Sequence, residues 1–239
     1  MDLPSLTPAT LLGRRKRFLT DVRLDDGTKL TAHCPNTGSM RGCSEPGRDI
    51  FLSWHDNPKR KYSYTWELID MDSGLVGINT QRTNAIVREG ILAGRVPALS
   101  GYTSCRPEIG TEAGTRLDFL WEGPGHVPLY MEVKNCTFVE NGRAAFPDAV
   151  TMRGQKHLRE LIRLQQLGAR AVVFFLVQRS DAAWFEAAWE IDHDYARLLH
   201  AAQAAGVAIQ AFDVHIDRTT ITLANELPVA GISCSPCFP

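Results

Sequence analysis

Hydrophobic and polar residues alternate through the first third of the chain and then give way to helical spacing, so two kinds of structure are written along it. Leu11–Leu24 reads as one long β-like stretch, Asp25-Asp26-Gly27 as a hairpin turn and Lys29–His33 as the returning strand. Asp49–Trp54, Tyr62–Met71 and Leu75–Asn79 are predicted strands, with Asp72-Ser73-Gly74 turning between the last two. About five strands with no helix between them predict a small closed β-structure, an OB-like β-barrel of the oligonucleotide-binding kind.

Beyond Asn79 the periods mix. A helix is predicted over Thr83–Ala93, then strands over Thr103–Arg106, Arg116–Trp121 and Pro128–Lys134, the last two joined by Gly123-Pro124-Gly125. Thr151–Leu167 is an amphipathic helix stopped by Gly168, with Leu158, Leu161, Ile162 and the Leu164–Leu167 segment facing a core. A strand over Ala169–Val177, a helix over Asp192–Ala205 stopped by Gly206, and a strand near Val207–Val214 complete the pattern. The fold class expected is therefore α+β, a barrel over residues 1–80 and a mixed α/β domain over 81–239.

Composition narrows this picture only a little. A chain of 239 residues, 44% hydrophobic, can bury a proper core. The longest apolar run, Ala171–Val177, is far short of a membrane helix, so no membrane partner is expected. Met1-Asp2-Leu3-Pro4 does not open a secretory signal, which points to a cytoplasmic protein. Six cysteines then read as free thiols, and Cys234-Ser235-Pro236-Cys237, lacking a second pair, as a reduced tail rather than a zinc knuckle. The net charge of -1 announces no polyanionic partner, but Arg14-Arg15-Lys16-Arg17 and Lys59-Arg60-Lys61 are concentrated basic runs.

The chemistry lies in the second half. Alternation places Leu129, Met131 and Val133 on one face of their strand and Tyr130, Glu132 and Lys134 on the other. On the preceding strand Leu117, Phe119 and Trp121 share a face, which leaves Asp118 opposite. Pairing through the hairpin brings Asp118 and Glu132 to one surface. Two carboxylates beside a lysine suit a hard divalent cation, Mg2+ or Mn2+, with positions left for water and phosphate. The lysine can offset charge that builds on a phosphate under attack. Alternating Glu and Lys is also what a solvated sheet edge shows, and context separates the two readings. The next helix opens with Arg153, Gln155, Lys156 and His157, where polar side chains and the helix dipole can hold a phosphate.

With those residues in view, the chain resembles the sugar fermentation stimulation protein A family along nearly its whole length. The resemblance is carried by His33-Cys34-Pro35-Asn36-Thr37-Gly38-Ser39-Met40, Asn57-Pro58-Lys59-Arg60-Lys61, Tyr64-Thr65-Trp66-Glu67, Arg116-Leu117-Asp118-Phe119, Glu132-Val133-Lys134-Asn135, and Phe146-Pro147-Asp148-Ala149-Val150-Thr151 running into Arg153-Gly154-Gln155-Lys156-His157. It implies an OB-like barrel before a domain resembling the PD-(D/E)xK nucleases, and a protein that binds DNA without sequence preference. It makes Asp118 and Glu132 metal-binding acids and Lys134 the catalytic lysine. Glu89 becomes a further candidate metal acid, Glu108 a further candidate catalytic acid, and Gln155 a helical polar residue near the substrate.

Several residues support two readings each. Arg15 and Arg17 track a phosphate backbone or form a solvated strand face, whereas Lys59, Arg60 and Lys61 sit in a loop of the kind barrels use on single strands. Arg153 and Lys156 are further DNA-contact candidates. Pro35–Met40 reads as a structural turn before a ligand loop. Asp148 either reaches the carboxylates or caps the following helix. Trp54, Trp66, Tyr62 and Tyr64 stack on bases or fill the barrel. His33, Cys34 and His157 read as packed or solvated rather than as ligands. Two functions are compatible with this reading: a metal-dependent phosphodiesterase that binds DNA, or a non-catalytic DNA-binding regulator of sugar (maltose) metabolism. Self-association is left open.

Overall fold

The computed structural model describes residues 1–231; Cys234 and Cys237 lie outside them. The stretch predicted as one strand is two, β1 (Leu6–Arg15) and β2 (Leu19–Leu24), paired antiparallel. Lys16 and Arg17 reverse the chain with φ of 52° and 64°. That left-handed turn is built from charged residues, without the Gly, Asn or Pro that would have marked it in the sequence.

β3 (Lys29–His33), β4 (Asp49–Trp54), β5 (Tyr64–Met71) and β6 (Gly74–Gly77) complete a six-stranded sheet of order β3-β2-β1-β4-β5-β6. A parallel bridge between His33 and Thr65 joins β3 to β5 and curls the sheet toward closure. Leu11, Val22, Ile50, Leu52, Trp66 and Ile69 fill its interior. Trp66 therefore packs, while Trp54 is exposed.

Glu67 breaks the apolar interior of β5. It is buried, and its carboxylate accepts from Arg82 Nε at 2.6 Å and Nη2 at 3.0 Å, from Ser53 Oγ at 2.6 Å and from Asn79 Nδ2 at 3.0 Å. A buried charge persists only with such a partner set. Asn79 and Arg82 flank the turn that leads into α1 (Thr83–Leu92), so one carboxylate ties the barrel to the entry of the second half.

The second half is built on a sheet of order β15-β14-β12-β9-β8-β7, from β7 (Ser104–Gly110), β8 (Arg116–Glu122), β9 (Leu129–Cys136), β12 (Arg170–Val177), β14 (Ala208–Ile216) and β15 (Ile221–Glu226). β9, β12 and β14 run parallel and are buried through, which explains the unbroken apolar run of β12. α1 covers one face, packing Ile86, Val87 and Ile91 with Phe119, Trp121 and Val133. α2 (Met152–Gln166) and α3 (His193–Ala204) cover the other through Leu158, Leu161, Tyr195 and Leu199. Leu167 is exposed at the end of α2 instead of facing that core. β10 (Val139–Glu140), β11 (Arg143–Phe146) and β13 (Trp184–Ala187) form a small side sheet. These three were not legible in the pattern, since strands of 2 to 4 residues are too short to show a period, and β15 was not read from the sequence either. Among the described residues no helix is long and apolar enough to cross a membrane.

α1 packs closely on β15. A Cβ at Gly90 would stand 2.6 and 2.7 Å from side-chain atoms of Leu223. Gly90→Ala should therefore destabilise by about 1–2 kcal/mol, although alanine is the better helix former. Urea midpoints of the two proteins check it: an unchanged or raised midpoint would mean that α1 and β15 are not in this contact.

Candidate metal and nucleic-acid site

The site forms where two strands part. The β8–β9 ladder runs Trp121 to Leu129, Leu120 to Tyr130 and Phe119 to Met131, and stops there. Beyond it the Val133 N–H donates to the Asp118 carboxylate, to Oδ2 at 2.7 Å, rather than continuing the ladder. Asp118 Oδ1 accepts from Asn84 Nδ2 at 2.9 Å, in the first turn of α1. The expected alternation fails at this point: Phe119 and Trp121 pack under α1, but Leu117 belongs to the core beneath α2 and α3. The side chain of Asp118 has replaced a strand partner, and the backbone turns past it.

Glu132 enters the same gap and is 3% exposed. Its Oε1 is in short contact with both Lys134 Nζ and His157 Nδ1. His157 Nε2 accepts from Arg153 Nε at 3.4 Å; since arginine only donates, the imidazole proton belongs on Nδ1, directed at Glu132. Lys134 Nζ also lies 3.3 Å from His157 Nδ1, two donors sharing one carboxylate oxygen. The other oxygen, Glu132 Oε2, is buried without a hydrogen-bond partner.

The two acids are held differently. Burial and then the Glu132 charge push the Asp118 pKa up, against the Val133 and Asn84 hydrogen bonds and the Lys134 charge. For Glu132 burial is the largest single influence and pushes upward, but the His157 hydrogen bond and the Lys134 charge outweigh it, so its pKa lies below the ordinary value. The Glu132 charge is thus within electrostatic reach of Asp118.

Other candidates are placed elsewhere. Glu89 points away from the gap and receives the Met1 ammonium at 2.8 Å, because five residues of helix separate its face from that of Asn84. Glu108 is exposed beside Arg116 at 3.4 Å. Gln155 is buried, its Nε2 donating to Asp192 Oδ1 at 3.1 Å, which fastens α2 to the N-cap of α3. Arg15 pairs with Asp21 at 2.7 Å, and Arg17 sits in the turn, so the two are not alternate members of one strand face. Lys59, Arg60 and Lys61 do occupy a loop, where Arg60 donates to Thr65 Oγ1 and Lys61 lies over the Tyr62 ring.

Arg153 reaches the site through His157, and Lys156 extends to the Gly114 carbonyl at 3.2 Å. Asp148 takes neither expected role: it accepts from Ser39 Oγ at 2.9 Å and Met40 N at 3.1 Å, while Thr151 caps α2 itself. His157, expected to be packed or solvated, is packed, and what the sequence did not reveal is its contact with Glu132. The available signal was its spacing from Arg153, one helical turn along α2, which lets the two side chains meet.

The donor set fits a hard divalent cation. An unpartnered oxygen on a buried carboxylate and a second carboxylate whose ionisation is disfavoured both gain from a cation between them. Among the described residues no three Cys, His, Asp or Glu groups form a closed ligand cage. Two carboxylates leave the remaining positions to water and phosphate, as magnesium sites on phosphoryl substrates do.

Comparison with known proteins agrees along the chain. Residues 12–78 match the family description "SfsA N-terminal OB domain" and residues 81–220 "Sugar fermentation stimulation protein RE domain". A sugar fermentation stimulation protein homolog of Geobacter sulfurreducens is 52% identical, covering 96% of this chain and 98% of its own. One from Pelobacter propionicus is 50% identical, covering 96% and 99%. Among solved structures, "The structure of Pyrococcus Furiosus SfsA in complex with Ca2+" superposes with a TM-score of 0.87 at 28% identity, covering 96% of this chain and 97% of that one. The OB-like barrel followed by a mixed α/β domain is the shared fold.

Proposed function

The chain belongs to the sugar fermentation stimulation protein family, and from that premise we propose that it binds DNA without sequence preference and hydrolyses phosphodiester bonds at Asp118, Glu132 and Lys134 with a divalent cation. The observation that carries this reading is the buried, unpartnered Glu132 Oε2 beside an Asp118 whose ionisation is opposed by its surroundings. A relative that covers nearly the whole chain was solved with Ca2+, which supports a divalent cation in the family. Bound Mg2+ or Mn2+ would supply Lewis acidity, lowering the pKa of a coordinated water and offsetting phosphate charge.

The residues divide the work. Asp118 and Glu132, through its open Oε2, would hold the cation. His157 and Lys134 hold the other Glu132 oxygen, which fixes the direction of Oε2. Lys134 also keeps a positive charge where a phosphate gains negative charge. Arg153, exposed at the start of α2 and hydrogen-bonded to His157, would meet that phosphate, and the Lys59–Lys61 loop of the barrel would meet the backbone. Such contacts release counterions, so affinity should fall steeply with salt.

A cleavage assay on single-stranded, duplex and flapped DNA and on RNA, with Mg2+ or Mn2+, tests the proposal. Cation-dependent cutting in the parent, lost in Glu132→Gln while DNA binding persists, is the expected result. Binding without cutting on every substrate would overturn the catalytic reading and leave a DNA-binding regulator of sugar metabolism.

A further inference from the structure

A second recess lies beside the acid gap. It encloses about 200 Å³ between the barrel loop at Asn36–Gly38 and the end of β9, and Asn135, Thr137 and Asp148 line it with Phe138. Both sites border the same two elements. Asn135 follows Lys134 on β9, and Thr80, another lining residue, precedes the α1 turn whose Asn84 donates to Asp118.

The loop is held firmly in place. Arg14 donates to the carbonyls of Asn36 at 2.7 Å, Gly38 at 2.9 Å and Ser39 at 3.3 Å. Gly38 N donates to Asn36 Oδ1 at 2.9 Å, and Asn36 is buried. A Cβ at Gly38 would stand 2.9 Å from Asp148 Oδ2, so only glycine lets the loop lie against that carboxylate. Asp148 Oδ2 is occupied by Ser39 Oγ and Met40 N; its Oδ1 has no hydrogen-bond partner among the described residues. The result is a preorganised wall with a free acceptor.

We infer that this recess binds a nucleobase of the strand engaged at the neighbouring acids, with guanine preferred. The inference rests on the nucleic-acid reading of that site. A volume of about 200 Å³ is below the ~300–1,000 Å³ of pockets for drug-sized ligands, so it suits one heterocycle rather than a whole nucleotide chain. A carboxylate repels phosphate and accepts N–H donors. Guanine alone among the DNA bases presents two adjacent donors, N1–H and the 2-amino group, on its pairing edge, and both can converge on the one open oxygen, Asp148 Oδ1. Adenine, cytosine and thymine each set an acceptor beside their donor. A strand read on its pairing edge must be single or locally unpaired, which agrees with a barrel as its carrier. The preference concerns one position, within binding otherwise driven by phosphates.

The test uses oligothymidine strands with one central guanine, hypoxanthine or xanthine base, their affinities measured by fluorescence anisotropy without divalent cation. Hypoxanthine lacks the 2-amino donor, so the parent should bind the guanine strand about ten-fold tighter. Asp148→Asn can keep its acceptor on Ser39 and Met40 but turns the free oxygen into a donor. It should lose that preference and favour xanthine, which carries an acceptor at position 2. Equal affinity of the parent for guanine and hypoxanthine strands overturns the inference, and this comparison needs no variant to fold. If no strand binds, guanosine against inosine by NMR titration decides in the same way. Guanine preference without cutting would sink the catalytic proposal alone; cutting without preference would sink only this one.

Discussion

Glu67→Ala should lower the stability of the protein by about 3 kcal/mol, the low end of the loss expected when one partner of a buried ion pair is removed. The carboxylate is buried and receives Arg82, Ser53 and Asn79 together; without it their donors lose a shared acceptor in the interior. The Arg82 side chain is 20% exposed and can recover some hydration, which keeps the loss from being larger.

The loss should depend on pH. Burial pushes the Glu67 pKa up, but the Arg82 and Ser53 hydrogen bonds and the Arg82 charge outweigh it, so the folded value lies below the ordinary one. A lowered carboxylate contributes stability that is present above its unfolded pKa and lost as pH falls through the folded value. The difference between parent and variant should thus be full near pH 7 and shrink at acid pH, below about 4. Urea titrations at several pH values measure it. A difference that stays constant into acid would mean that packing, not charge, holds this junction. Because Asn84 follows Arg82 by two residues and donates to Asp118, the variant should also loosen the acid gap.

The sequence pattern and the structure agree where one period dominates. The strands β3 and β4 were legible as short β-prone runs bounded by turn residues, and α2 and α3 because their buried positions repeat at helical spacing. The β1–β2 turn was hidden, since Lys16 and Arg17 adopt a glycine-like conformation with no glycine. Asp118 and Glu132 could be read as acids on neighbouring strands, but the local geometry around them could not. Strict alternation predicts a continuous sheet face, whereas Asp118 takes the Val133 N–H and opens the ladder. The break at Asp118 is a defect in the sheet, and no period encodes a defect.

The partners across long sequence distance were hidden for a different reason. Asp148 to Ser39 spans 109 residues and His157 to Glu132 spans 25. A residue's neighbours within its own element fix its face, but not which other element covers that face. Thus Glu89 and Glu108, acids of the right type near the right strands, lie outside the gap, and His157 lies in it.

Asp118→Asn should move stability and activity in opposite directions. Burial and the neighbouring Glu132 raise the Asp118 pKa, so its ionised form opposes folding. A raised carboxylate contributes stability that is fully present below its unfolded pKa and lost as pH rises through the folded one. Asparagine removes that charge. Its Oδ1 can accept from Val133 N, and Asn84 can turn its own amide to accept from the new Nδ2. At neutral pH, without divalent cation, the variant should be more stable by roughly 1 kcal/mol, and the gain should vanish near pH 3 where the parent is protonated.

Added Mg2+ or Mn2+ should reverse the order. The parent gains stability by linkage to the bound cation, increasingly as pH rises and Asp118 ionises, whereas the variant has lost a charged ligand and should gain little. Cutting should fall by about 10³-fold or more, on the scale of losing a principal electrostatic stabiliser. Thermal melting of both proteins with and without the cation, across pH, separates the alternatives. A variant less stable than the parent without cation would mean that Asp118 is a structural strand cap. A variant that still responds fully to the cation would place the binding site elsewhere.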